Sequence, residues 1–281
     1  MKRNEFKSDM ETIRMTTLEH ITLGDMVEIW NRCWQGYYYD MVYTQEHMKF
    51  WLDLGQVVLA DSVAIYTQNQ IVGFSLLAIS GDEGWIAGTC IAPDYRGRGF
   101  FTPLMRSQLD LAARLGLKRI YLEVLTQNYA QKVYLSVGFK RIRQLQIFRT
   151  GSEIKFPPGL AKVSSCEQVS LSQYFAKRKL TSFNPAWQRR QSYLERYGNL
   201  TALINSEGTA GILLSPKKNA PLLDIWSSTA IGAEEIISTA FHLRSQGFSL
   251  INQPEDWIVA VLRANGMRPN AQQYEMCFKL A

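Results

Sequence analysis

At 281 residues, 46% of them hydrophobic, the chain can bury one large core or two ordinary ones, and two domains are expected. Its four cysteines, Cys33, Cys90, Cys166 and Cys277, form no CxxC pair and sit beside apolar or aromatic residues, which argues against disulfides and a zinc site. A formal charge of +6 suits an acidic partner, either nucleic acid or a polyphosphorylated cofactor. The basic residues are dispersed, and no nucleic-acid module accompanies the runs Lys177-Arg178-Lys179 and Arg189-Arg190, which read as solvated helix faces. Apolar stretches are short and broken by charge, and the N-terminus carries no apolar leader, so a cytoplasmic protein with no membrane partner is expected.

In chain order, residues 12–18 read as a strand, and Thr22 to Asp25 opens a helix with Met26, Ile29, Trp30 and Cys33 at helical spacing. An aromatic stretch from Trp34 to Tyr39 follows, then a second helix from about Thr44, a plausible N-cap. Residues 63–66 and 71–79 are predicted strands joined by a polar turn at Gln68-Asn69-Gln70, and residues 85–91 complete an antiparallel meander. A helix with Leu104, Met105, Leu109, Ala112 and Leu115 on one face ends at Gly116. A strand over 120–125, a short helix over 130–136 and a strand from Gly138-Phe139 to Phe148 close a first unit, residues 1–150.

Residues 151–159, with Pro157-Pro158, are the expected linker. Residues 160–281 then repeat the order: a strand near 161–168, helices near 171–179 and 186–196, and a hairpin over 200–214. Residues 122–140 echo residues 250–268 at an offset of about 128, so a tandem repeat is inferred.

The chemistry concentrates between the third strand of the meander and its helix, at Arg96-Gly97-Arg98-Gly99. Backbone N–H groups at the start of a helix lack intrahelical partners and lie at the positive end of its dipole, so this turn is a preformed anion site. Gly97 and Gly99 allow close backbone approach, and Arg96 and Arg98 add charge. A glycine turn with solvent-exposed arginines is the alternative for these four residues alone. Neither GxxxxGK[ST] nor an early GxGxxG is present, which weighs against nucleotide hydrolysis and dinucleotide redox chemistry.

Ile91-Ala92-Pro93-Asp94-Tyr95-Arg96-Gly97-Arg98-Gly99 resembles motif A of the GNAT superfamily of N-acetyltransferases, V-x-P-x-x-R-G-x-G-x-G/A. Residues 127–139 resemble the family's N-x-x-A-x-x-L-Y-x-x-x-G-F segment through Ala130, Val133, Tyr134, Gly138 and Phe139. With the meander, the resemblance covers roughly residues 12–148, and the repeat suggests a second, degenerate copy. The resemblance implies a mixed α/β fold of two GNAT-like domains, each a mostly antiparallel twisted sheet flanked by helices. It also implies acetyl-CoA as acyl donor. Backbone groups around Ile91 and Ala92 would pair with the pantetheine arm, residues Arg96, Gly97, Arg98, Gly99, Phe100, Phe101 and Thr102 would hold the pyrophosphate, and Gln127 would add a polar amide. Tyr134 would protonate the departing thiolate as general acid, at an unshifted pKa near about 10. Phe101 stands where the family has Gly or Ala, and Gln127 where it usually has Asn. At the repeat offset Tyr134 falls on Leu262, and the basic turn falls near Asp224 to Ser227, where an acidic side chain would repel phosphate. One cofactor per chain is expected, and the hydroxyls near Thr229 could cap a helix.

The acceptor, a primary amine on a small molecule or peptide, is expected opposite the cofactor in a cleft shared by the first helices and the second half of the chain, lined by Trp34, Tyr37 and Tyr38, with Tyr39 beside them and Trp30 in the core. Asp82, Glu83 and Glu123 border the strands of the site. Glu83, acting through a water, is the candidate base. A non-catalytic acyl-CoA-binding regulator is the alternative function, and a nucleic-acid role ranks below both. Oligomeric state is not legible.

Overall fold

The computed structural model describes residues 13–67, 70–151, 165–216 and 222–280. The expected turn at Gln68-Asn69 and nearly all of the linker at 151–159 lie outside the described residues. The chain divides into two compact units: residues 1–120, 133–138 and 278–281, and residues 121–132 and 139–277.

In the first unit, strands β1 (Ile13–Thr17), β2 (Val63–Thr67), β3 (Gln70–Ser80) and β4 (Glu83–Ile91) pair successively, each antiparallel to the last. Helices α1 (Leu23–Cys33) and α2 (Gln45–Gly55) separate β1 from β2. Their starts are set locally: Thr22 and Asp25 form a reciprocal capping box, and the Thr44 hydroxyl accepts the His47 N–H. The two faces of the sheet follow strand alternation. Ala64, Phe74, Leu76 and Cys90 pack with Met26, Trp30 and Met48, whereas Val63, Ile65, Val72 and Ile91 pack with Leu104 of α3 (Phe101–Arg114). Trp30 is core as expected, its Nε1 donating to Met41 O at 2.7 Å. Gly116, at φ +76°, terminates α3, but Leu115 is exposed. It is the helix C-cap, one residue past the end of α3 and three past Ala112, the last buried residue of the stripe, so the buried face ends before it although the helical spacing continues.

The second unit takes in most of β5 (Arg119–Leu125), the first residues of α4 (Ala130–Ser136) and all of β6 (Lys140–Arg149). It continues through β7 (Cys166–Val169), α5 (Leu171–Lys179), α6 (Gln191–Leu194), β8 (Thr201–Asn205), β9 (Ala210–Leu214), β10 (Leu222–Ser227), α7 (Ala230–Leu243), β11 (Ser249–Pro254), α8 (Trp257–Ala264) and most of β12 (Ala271–Lys279). Its strands lie in the order β5-β12-β6-β11-β10-β9-β8-β7. β10 and β11 run parallel, while β12, β6 and β11, and β10 through β7, pair antiparallel. Two strands N-terminal to residue 150 thus pair with strands from the C-terminal half.

The repeat is visible element by element, since β4–α3–β5–α4–β6 recurs as β10–α7–β11–α8–β12, with α3 and α7 both 14 residues long. At the second copy the helix start is self-satisfied. Thr229 accepts the Gly232 N–H at 3.0 Å, and Ser227 Oγ donates to Thr229 O at 2.7 Å, as the hydroxyls in the sequence suggested.

Two expectations fail here. Arg178 and Arg189, read as parts of solvated basic faces, are buried, because both converge on fully buried Asp224. Arg178 Nη1 donates to Asp224 Oδ2 at 2.5 Å, and Arg189 Nε and Nη2 donate to Oδ1 at 3.0 and 2.7 Å. The Tyr174 hydroxyl adds a bond to Oδ2 at 3.0 Å. Asp224 is therefore not an exposed acid that repels phosphate but the neutralised centre of a buried ion cluster.

Candidate active site

The site begins at the end of β4. Ile91 faces Gly73 in the β3–β4 register, and the next N–H, of Ala92, donates to Val72 O at 2.8 Å. Bonded and non-bonded pairs alternate along an antiparallel ladder, so Ile91 occupies a non-bonded pair, and its N–H and C=O point away from β3. A single 3₁₀ turn, Pro93–Tyr95, then leads into Arg96 to Gly99. Gly97 and Gly99 have φ +76° and +80°, and a Cβ at either would meet nothing within 4 Å. Only glycine takes this backbone without strain, and the space beside it is open.

Helix α3 follows without a side-chain cap and without an acid in its first turn. The other helices of eight residues or more, α1, α2, α5, α7 and α8, are capped by Thr22, Thr44, Ser170, Thr229 and Asp256. At α3, Phe100 is the cap residue, Phe101 and Thr102 open the first turn, and Pro103 brings no N–H. Backbone donors at a helix start of this kind suit an anion.

The arginines divide their roles. Arg98 lies over the Tyr95 ring, 5.0 Å from its centroid. Arg96 points inward: its Nε donates to Ile91 O at 2.9 Å, and its Nη2 donates to Cys33 O at 2.8 Å and Gln35 O at 2.9 Å. This turns most of the Arg96 side chain, expected at the phosphate, toward the fold, because carbonyls of the protein take three of its five N–H donors, the one on Nε and both on Nη2. What residue 96 leaves for an anion is its backbone, its net charge and the N–H groups of Nη1.

Tyr134, on α4, is buried. Its ring meets Phe101 edge to face, with centroids 5.4 Å apart. Phe101, the large residue at a motif position that is usually small, thus packs on the tyrosine. The Tyr134 phenol does not keep its ordinary pKa: burial raises it well above 10, and neighbouring Tyr37 and Cys90 raise it further. The hydroxyl stays protonated throughout the working pH range. Cys90 Sγ donates to Cys33 O at 2.7 Å, and burial pushes the Cys33 and Cys90 thiols up to about 12 and about 11. Neither is a ready nucleophile.

Tyr37 also belongs to the aromatic segment. Trp34 and Tyr37 meet at 75° with centroids 4.6 Å apart, Tyr37 and Tyr38 at 79° and 5.2 Å, and Tyr37 and Tyr39 at 65° and 6.5 Å. These four rings, with Asp40, Met41 and others, line a cavity of about 350 Å³. The substrate-side candidates Trp34, Tyr37 and Tyr38 are therefore brought together around one cavity.

The candidate base is not brought there. Glu83 starts β4 and Ile91 ends it, so roughly 26 Å of strand separates them at about 3.3 Å per residue. Glu83 is also ion-paired with Arg119 Nη1 at 3.3 Å. Asp82 beside it is held below the usual carboxylate range by its hydrogen bond to Lys118. Glu123 and Gln127 belong to the second unit, where Glu123 is half-buried on β5 and exposed Gln127 accepts a bond from Thr126 Oγ1 at 3.4 Å. Sequence reasoning missed Cys33 and Cys90 as neighbours of the site. Helical spacing had put Cys33 on the buried face of α1, but nothing local pairs it with Cys90.

Among the described residues, no cluster of His, Cys, Asp and Glu could hold a metal ion, and no helix is long and apolar enough to cross a membrane.

Residues 17–139 match the acetyltransferase (GNAT) family. A curated relative, the [ribosomal protein bS18]-alanine N-acetyltransferase of Haemophilus influenzae, is 28% identical over 81 residues, which are 29% of this chain and 56% of the relative. The chain thus spans little more than half the length of that relative. A GCN5-related N-acetyltransferase from Sphaerobacter thermophilus shares the fold at TM-score 0.64 and 9% identity, with 95% of each chain covered. One from Anabaena variabilis does so at 0.63 and 14%, covering 95% of this chain and 72% of its own. A tandem GNAT protein from the clavulanic acid biosynthesis pathway matches 95% of this chain and 98% of its own at TM-score 0.62 and 10% identity. Residues 17–139 are thus similar to the acetyltransferase (GNAT) family, and the chain shares its fold with a tandem protein of that family.

Proposed function

We propose that the protein is an acetyl-CoA-dependent N-acetyltransferase acting on a primary amine. The observation that carries this reading is the continuity of three features in a family domain: the outward backbone groups of Ile91, the left-handed glycines 97 and 99, and the uncapped start of α3. These residues fit the donor. The amides of residues 97–102, Pro103 being unable to contribute, would hold diphosphate oxygens, and the outward backbone edge of Ile91 would pair with an extended pantetheine arm, the Ala92 N–H and C=O being taken by Val72 and Tyr95.

Acetyl-CoA supplies the acetyl thioester. The chain's part in the reaction is then positioning and proton supply. The aromatic segment Trp34 to Tyr39 seats the acceptor and limits water, so that a neutral nitrogen forms the new bond to carbon while the carbon–sulfur bond breaks. Tyr134 Oη delivers a proton to the departing sulfur, and the proton lost by the acceptor nitrogen restores the pool. Burial keeps the phenol protonated and neutral, ready to donate, while making it a weaker acid than a solvated tyrosine.

A non-catalytic acyl-CoA-binding role has one observation in its favour: a large ring, Phe101, packed on Tyr134, fills the motif's small position. The two readings separate in a free-thiol assay with acetyl-CoA and a panel containing a small primary amine, a lysine peptide and an alanyl N-terminal peptide. The last reflects the alanine N-acetyltransferase named above. Amine-dependent thiol release supports the enzyme, whereas saturable cofactor binding without release from any amine supports the regulator.

A further inference from the structure

We infer that Arg96 is a positioning residue for the acceptor, tying the aromatic segment to the donor-binding turn, rather than a ligand of the diphosphate. The inference rests on the N-acetyltransferase reading for the identity of the acceptor side, but the tether itself is a matter of geometry.

A helix ends with carbonyls that have no intrahelical partner. In α1 the last residue is Cys33, and Trp34 and Gln35 follow at once. Arg96 Nη2 reaches Cys33 O at 2.8 Å and Gln35 O at 2.9 Å, so a cation from a distant turn caps the C-terminal end of α1, where the helix dipole also favours it. The same guanidinium holds Ile91 O through Nε at 2.9 Å and stands 4.0 Å from Cys90 Sγ. One planar group therefore fixes the exit of α1, the end of β4 and its own turn relative to one another. Cys90 Sγ adds a second bond to Cys33 O at 2.7 Å.

The residues thus held are those that open the aromatic cavity, since Trp34, Gln35, Gly36 and Tyr37 all line it. Gly36, at φ +70°, lets the chain turn directly beneath the guanidinium: a Cβ there would stand 3.9 Å from Arg96 Nη1. A ligand on the turn and an acceptor in the cavity would meet at a distance that Arg96 sets.

The test is amide hydrogen exchange by mass spectrometry on the ligand-free full chain, alongside calorimetry with CoA, for Arg96→Gln, Arg96→Lys and Arg98→Gln. For Arg96→Gln, exchange at residues 34–39 should rise by about tenfold or more, exchange in α3 should be unchanged, and CoA affinity should stay within about threefold. Arg96→Lys keeps the charge but not the planar fork, so it should move the same amides in the same direction, and it serves if the glutamine variant fails to fold. Arg98→Gln should leave residues 34–39 unaffected. With an active acceptor, Arg96→Gln should raise its KM by about tenfold and change kcat less. A tenfold or greater loss of CoA affinity in Arg96→Gln, or unchanged exchange at 34–39, overturns the inference. If the wild type acetylates no amine but the exchange result holds, the tether stands and the functional reading fails.

Discussion

Phe101 stands edge-on to Tyr134, with ring planes at 71° and centroids 5.4 Å apart. The contact fixes the tyrosine ring without using its hydroxyl. Tyr134→Phe should therefore fold normally and bind CoA as the wild type does, while transfer falls by about 10²-fold or more, the usual worth of a positioned acid. A steady-state thiol assay paired with calorimetry checks both arms. Because burial raises the phenol's pKa, the wild-type rate should show no loss from this group up to about pH 10. Stability has the same sign: its contribution is complete below about pH 10 and falls as pH rises further, where the unfolded phenol ionises and the folded one does not.

Truncating the partner ring separates packing from chemistry. Phe101→Ala should lower stability in denaturant unfolding by about 1–3 kcal/mol, less than for a fully buried phenylalanine because Phe101 is half-buried. It should lower transfer through looser placement of Tyr134, with CoA affinity kept or improved.

Two glycine substitutions should part company. Gly97→Ala meets open space but a φ of +76°, so a strain of about 1–2 kcal/mol falls on the turn, and CoA affinity should drop. Gly138→Ala has φ +109° and would bring its Cβ within 2.8 Å of Phe278 Cε2. The clash lies in packing, so this variant should lose more thermal stability. Thermal shift with and without CoA reads both.

Asp256 caps α8 through the Val259 N–H, yet burial raises its pKa to about 6. A carboxyl raised on folding favours the native state below the unfolded value near 3.9, and that advantage is lost as pH rises through about 6. Asp256→Asn keeps a good cap and removes the titration. It should be more stable than wild type at pH 7.5 by about 1–3 kcal/mol, with the difference narrowing toward pH 5 in denaturant melts.

What was legible in the sequence was local or motif-borne. The caps Thr22 and Thr44, the buried stripe of α3 from Leu104 to Ala112 and the glycine turn need only neighbours a few residues away, and each is where the residues put it. The tandem pattern was visible through the same elements recurring in order. What failed depended on distant partners. Arg178 and Arg189 resemble solvated cations until Asp224 is brought between them. Glu83 borders the right strand at the wrong end, because hydropathy marks a strand without measuring its length. Arg96 was read as a phosphate ligand, since carbonyls about sixty positions earlier in the chain leave no trace in a motif.

The central claim is that main-chain donors at residues 97–102 grip the diphosphate of acetyl-CoA. Titration of the full chain with acetyl-CoA in a calorimeter, repeated on Gly97→Ala, tests it most directly. The account predicts saturable binding that weakens by about tenfold or more in the variant while the protein remains folded. No saturable heat in the wild type, or equal affinity in both proteins, would contradict it.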